Sequence, residues 1–136
     1  MQNNEIYLVL RITSKKDIKN IVENNNIKPT KIWKKGDIKI KGSILKYKNF
    51  GFKIKKRYRN ISYIKNILRK FLKDENVIKS ISLQNVEKAL IVIIYGKNTD
   101  DYTGNLPSLY YDIQILEILN KNGINLEHDI YLMKNM

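Results

Sequence analysis

His128 is the only histidine of the chain, and there is no cysteine. These two facts restrict covalent chemistry at once. A thiolate nucleophile, a disulfide and a thiolate metal site are all excluded. A serine nucleophile needs a base within hydrogen-bond reach and a third group to orient that base. The Gly-x-Ser-x-Gly elbow that presents such a serine does not occur in the sequence. Glu127 and Asp129 flank His128, but adjacent strand residues point to opposite faces, so the three do not converge on one ion. His128 instead shares its alternation phase with Ile124, Leu126, Ile130 and Leu132, which predicts a core-facing structural histidine. Asp100 and Asp101 sit in a polar loop, residues 96–107, without an EF-hand or P-loop pattern. A hydrolase using those loop carboxylates ranks third among the functional readings. No cofactor and no metal are expected.

The more informative residues carry charge. The stretch "NNNIKPTKIWKKGD" holds the only tryptophan, Trp33, among Lys28, Lys31, Lys34 and Lys35. Pro29 sets the chain direction, Gly36 permits a tight turn, and Asp37 can accept backbone N–H bonds there. Trp33 is expected to pack as a structural corner with its N–H on a carbonyl; the rival reading is a partly exposed binding anchor rimmed by lysines.

These residues need elements to position them. Ile6, Leu8, Leu10 and Ile12 alternate with Tyr7, Val9 and Arg11, which predicts a strand. Ser14 with Asp17 resembles a helix cap with an acid in the first turn. Ile18, Ile21 and Val22 give the stripe of a short helix, closed by Asn24, Asn25 and Asn26. A β-meander is predicted next, from Ile38 and Ile40 through Leu45 and Tyr47 to Phe50, Phe52 and Ile54. Asn60 is set to cap a helix reaching about Lys73, with Ile61, Ile64, Ile67, Leu68, Phe71 and Leu72 inward. Residues 75–84 read as a second helix in preference to a strand. "ALIVIIYG" reads as a central strand covered on both faces. Leu109–Tyr111 is a short strand, Asp112 caps a helix that Gly123 closes, and Ile124–Met133 is the last strand.

The formal charge is +13 over 136 residues. Isoleucine, lysine and asparagine make up 62 of them, so AT-rich coding accounts for part of the lysine excess. Uniform drift does not explain its distribution. Residues 1–73 hold 21 Lys and Arg against 4 acids, while residues 74–136 hold 5 against 9. In the meander Lys39, Lys41, Lys46, Lys48, Lys53 and Lys55 share one alternation phase, and Lys56, Arg57 and Arg59 extend it. The expectation is one basic sheet face with Tyr47, Phe50 and Phe52 turned inward behind it. Sheet-based RNA readers place aromatics outward for stacking, so this pattern favours an acidic protein partner over base readout. Arginine, which leads in bidentate phosphate recognition, occurs only four times.

Three stretches in order complete the pattern: "LVLRIT", then "IKPTKIWKKGD", then the closing "LEILNKNGINLEHDIYLM". This order resembles bacterial domain-of-unknown-function family 4279 over nearly the whole chain. The matching residues are Pro29, Thr30, Trp33, Lys35, Gly36 and Asp37, followed by Asp129, Ile130 and Tyr131. The sequence departs from that pattern at the extra Lys34, and at "NFGFKIKK", where Phe50 and Phe52 stand in place of a second tryptophan. The resemblance implies a compact α+β domain and carries no catalytic residues across. Small bacterial domains of this kind often resemble immunity proteins of toxin systems, an analogy of architecture.

The sequence therefore predicts one α+β domain over residues 1–136. It has a mixed, mainly antiparallel sheet of five to seven strands, with three or four helices mostly on one face. The leading functional expectation is a non-enzymatic binding domain, immunity-like in its most concrete form, that holds an acidic protein partner such as a toxin. The expected contact residues are Trp33, Lys34, Lys35, Lys39, Lys41, Lys46, Lys48, Lys53, Lys55, Lys56, Arg57 and Arg59. The second is a nucleic-acid-binding accessory protein. Glu5 ahead of the first apolar run reads against a signal peptide, and the longest apolar run, Ala89–Tyr95, is too short to span a bilayer. The expectation is a cytoplasmic protein without a membrane partner.

Overall fold

A computed structural model describes residues 5–59, 64–98 and 109–134. Five strands form one sheet: β1 (Glu5–Ser14), β2 (Lys31–Trp33), β3 (Phe50–Arg59), β4 (Glu87–Asn98) and β5 (Ile124–Lys134). Four helices accompany them: α1 (Lys19–Asn24), α2 (Ile64–Leu72), α3 (Glu75–Ile81) and α4 (Ile113–Lys121). The strand order is β2-β3-β1-β4-β5. All neighbours are antiparallel except β4 and β5, which are parallel and need a crossover, here carrying α4. The result is the predicted single α+β arrangement with an open, mainly antiparallel sheet.

The period-two pattern sorts the sheet into two faces. Ile6, Leu8, Leu10 and Ile12 are at most 1% exposed, as are Leu90, Val92 and Ile94 of β4. Phe52 and Ile54 of β3 join them. All four helices contribute to this core: Ile18 and Val22 at α1, Ile64, Ile67, Leu68 and Phe71 on α2, Val77 on α3, Ile115 and Leu119 on α4. The 3.6-residue stripe of each helix thus meets the even-numbered face of the sheet. Among the described residues no helix lies over the odd-numbered face.

Local chemistry sets several element ends. Asp74 caps α3 by accepting from the N–H groups of Asn76 and Val77, and Asp112 caps α4 by accepting from that of Ile115. Gly123 closes α4 at φ +64° and Asn26 ends the α1 turn at φ +53°, both as expected of the left-handed region. Lys88 donates from Nζ to the carbonyls of Ile81 and Asn122 at the C-terminal ends of α3 and α4, where a cation complements the helix dipole. Burial lowers the pKa of that lysine.

Four expectations need correction. Ser14 does not cap α1: it ends β1, and its Oγ accepts from Lys16 N, while the Ile18 side chain at the cap position makes no hydrogen bond. The meander over residues 38–48 is absent. Those residues form a finger-like excursion whose ladder reduces to the bridge between Ile38 and Lys46. Leu109–Tyr111 has no strand. The apolar run of β4 does not sit beneath two helical layers; its second face is open to the groove described next. Residues 75–81 are helical, resolving that ambiguity. The expected cap Asn60, Ile61 and the acidic loop with Asp100 and Asp101 lie outside the described residues.

Candidate functional site

The odd-numbered face of the sheet is built in cross-strand rows. One row runs Lys31, Lys53, Arg11, Ala89 and Asn125 from β2 to β5. The next runs Lys55, Val9, Ile91, Glu127, and the one after it Arg57, Tyr7, Ile93, Asp129. The face therefore changes from cationic on β2 and β3, through an apolar middle, to anionic on β5. Val9, Ala89 and Ile91 are at most 7% exposed without a helix above them. Arg11, Lys53 and Lys55 line the groove around them. A groove of about 490 Å³ lies there, with Val9, Ile91 and Ile93 in its floor and Lys39, Lys53 and Lys55 on its basic side.

Trp33 closes the basic end. It pairs directly with Gly51 across β2 and β3, and its indole lies over that glycine. Tyr47, reaching back from the finger, stacks on the indole at 4.5 Å between centroids and 12° between planes. Trp33 is 5% exposed, so the expected structural corner is correct. Its Nε1–H is buried and has no hydrogen-bond acceptor among the described residues, contrary to the expected carbonyl partner. Stacking on Tyr47 and Gly51 decides the ring position, and the donor is left unmatched.

The cations around this aromatic pair fall into two groups. The arginines of the face are ion-paired: Arg11 pairs with Glu127 at 3.1 Å, and Arg57 and Arg59 share Glu5, which offsets one of their two charges. Lys31, Lys39, Lys53 and Lys55 form no ion pair among the described residues. Lys31 and Lys39 instead place Nζ 5.4 and 5.8 Å from the Tyr47 ring, and Lys55 places its own 4.6 Å from Tyr7. Partial burial, followed by repulsion from Lys55 and Lys31, lowers the pKa of Lys53. Like charges directly opposite on a sheet are destabilising, and here two lysines and Arg11 occupy one row.

The structure splits the predicted contact set. Lys53 and Lys55 stand on the open face with Phe52 and Ile54 buried behind them, as the alternation predicts. Lys39 reaches the same groove from the finger, while Lys41, Lys46 and Lys48 are exposed on the finger and not on any strand of the sheet. The single sheet-borne lysine face is therefore corrected: alternation without a ladder partner does not make a strand. Lys34 and Lys35 are exposed at the turn after β2, where Asp37 accepts from Lys34 N at 2.8 Å. Lys56 points to the helix side and pairs with Asp74 at 2.5 Å. Arg57 and Arg59 lie on the open face but are occupied by Glu5.

Sequence reasoning missed Lys31, Arg11, Tyr7 and the Val9–Ile91–Ile93 floor. Odd-phase positions in three strands were the available signal, but only the register brings them together. The inward placement of Tyr47 also needs correction. Tyr47, Tyr7, Tyr95 and Tyr131 all belong to the open side, with Tyr95 stacked on Tyr131 at 5.1 Å and edge-on to Tyr7 at 5.7 Å. His128 holds its predicted phase yet is exposed, because β5 is an edge strand with one neighbour; its Nε2 hydrogen-bonds the Tyr111 hydroxyl. Burial pushes the Tyr111 pKa up to about 12.

No helix among the described residues is long and apolar enough to cross a membrane. No curated protein and no solved structure matches the chain. A family model described as "Domain of unknown function (DUF4279)" matches residues 4–133. The open-faced α+β chain described above therefore belongs to that DUF4279 family, as its sequence order indicated.

Proposed function

We propose that the chain is a non-enzymatic binding domain that holds an acidic protein partner on its open sheet face. One observation carries this reading: four lysines without ion pairs, Lys31, Lys39, Lys53 and Lys55, converge around Trp33 and Tyr47 beside an apolar floor. An anionic side chain seated among them would offset repulsion that the free protein must bear. The anionic far edge favours a protein over a phosphate polymer. Glu127 and Asp129 on β5 stand three strands from Lys55 and Arg57, roughly 14 Å at ordinary strand spacing. At that distance salt largely screens the carboxylates from a strand lying on the lysines alone, so they matter only to a partner wide enough to reach them. A protein segment can meet both signs and the apolar strip between them, and such complementarity speeds encounter and excludes wrong partners. The immunity-like form, with a toxin as partner, rests on the sequence analogy.

The second reading is nucleic-acid binding, and the outward tyrosines favour it. Tyr7, Tyr95 and Tyr131 offer an outward stacking surface that the sequence reading did not identify. One experiment separates the two. Binding to mixed-sequence RNA and DNA is titrated with salt, beside a pull-down from the native host with wild type and a Lys53→Glu, Lys55→Glu variant. The expected result is a saturable protein complex, of roughly 1,200–2,000 Å² total interface, lost in the variant. Tight, saturable nucleic-acid binding with no co-purifying protein overturns the first reading.

A further inference from the structure

The finger between β2 and β3 carries a second exposed constellation at its tip, beyond Lys39 and Tyr47, which line the groove. Its stem is a narrow hairpin: Gly36 N donates to Tyr47 O, Tyr47 N to Asp37 O, and Lys39 N to Leu45 O. Tyr47 stacked on Trp33 anchors the base. Beyond that anchor the chain leaves the body of the protein. Ile38, Ile40 and Leu45 are 57%, 57% and 56% exposed, and Ile44 at the tip is 94% exposed. Lys39, Lys41 and Lys46 interleave with them and Lys48 follows, all exposed. Single exposed aliphatics are ordinary, but four within eight residues on one projecting turn need a reason.

We infer that this finger is a peripheral anchor for an anionic lipid surface, with Ile40, Ile44 and Leu45 entering the interface and the lysines resting on the headgroups. Shape and composition select this occupant. The aliphatics form a protruding tip and not a groove, so a fluid surface can accept them without a matching cavity. Protein interfaces concentrate aromatics and arginine at their centre, as Trp33 and Tyr47 stand in the groove; residues 38–46 contain only isoleucine, leucine, lysine, glycine and serine. Aliphatic residues ringed by lysine are the composition of interfacial insertion, in which buried apolar area and attraction to anionic lipid act together. The chain need not span a bilayer to do this. The inference does not depend on the groove reading.

The test is co-sedimentation of the full chain with phosphatidylcholine vesicles, with and without phosphatidylglycerol. Ile44→Glu is the probe, since a side chain this exposed contributes little to folding. Lys70→Gln, an exposed residue of α2, is its charge-matched control. Wild type and Lys70→Gln are expected to bind the mixed vesicles and not the neutral ones, with Ile44→Glu weakened by roughly tenfold or more. Failure to bind mixed vesicles, equal binding to neutral vesicles, or equal loss in both variants overturns the inference. So does vesicle binding by Ile44→Glu equal to that of wild type; loss of a protein complex in that variant would then make the finger a protein contact.

Discussion

Gly51→Ala should be among the most damaging one-methyl changes available in this protein. A Cβ on Gly51 would lie 2.5 Å from Trp33 Cζ2, 2.7 Å from Trp33 Cε2 and 2.6 Å from the Ile12 carbonyl oxygen. Ordinary non-bonded contacts are about 3.5–4.0 Å, so the overlap is roughly 1 Å on two sides. The indole cannot simply lift away, because Tyr47 is stacked on it. The Ile12 carbonyl cannot retreat without disturbing the ladder between β1 and β3. Overpacking of this kind costs about 1–3 kcal/mol, and expelling Trp33 forfeits about 1.5–3 kcal/mol of burial. The chain-entropy gain of alanine over glycine returns roughly 0.5–1 kcal/mol. Together these three ranges give a net loss of about 1.5–5.5 kcal/mol. For a chain of this size that lowers the melting temperature by roughly 5–20 °C. Trp33 is the only tryptophan, so its fluorescence reports the site directly, and a red shift should accompany the destabilisation. Trp33→Ala alone should cost about 3–5 kcal/mol. The Trp33→Ala, Gly51→Ala double variant should lose less than the sum, since one of the two clashes is gone. A Gly51→Ala protein with wild-type melting and unchanged emission would refute the account of this corner.

Two further outcomes follow from the charges. Lys53→Met keeps the apolar stem but removes a cation facing Lys31 and Arg11; it should stabilise the fold by roughly 0.5 kcal/mol in urea titration while weakening the proposed partner complex. A loss of stability would show that the lysine row is not repulsive. The second concerns acid. Hydrogen bonding from Arg57 lowers the pKa of Glu5. Burial raises that of Asp74, but Lys56 and the N–H groups of Val77 and Asn76 outweigh it. The Ile115 N–H, then Arg69, lower that of Asp112. Carboxylates with depressed native pKa values stabilise fully above their ordinary values of 4.5 and 3.8, and that contribution is lost as pH falls through the native values. Stability should therefore hold from pH 5 upward as far as these groups are concerned and decline below about pH 4. Denaturant midpoints that stay level down to pH 2.5 would contradict it.

The sequence by itself determined the elements whose cause is local. Alternation in β1, the continuous apolar run of β4, the 3.6-residue stripes of α2 and α4, the caps at Asp112 and Gly123, and the family order were all legible, because each depends on residues a few positions apart. The same locality misled the reading at residues 38–48. Isoleucine and lysine alternate there as in a strand, but a strand exists only with a ladder partner, and the finger has one bridge. Register was decided by the tertiary structure alone. It set Lys31 against Lys53 and Arg11, placed Tyr7, Tyr95 and Tyr131 on the open face, and brought Val9 and Ile91 together in the groove lining. It also assigned counter-ions: Glu5, far from Arg57 and Arg59 in the sequence, pairs with both, while Lys31, Lys39, Lys53 and Lys55 around the groove have none among the described residues. Coulombic pairing acts through space over a few ångströms, and which charges come that close depends on the pairing of strands far apart in the chain.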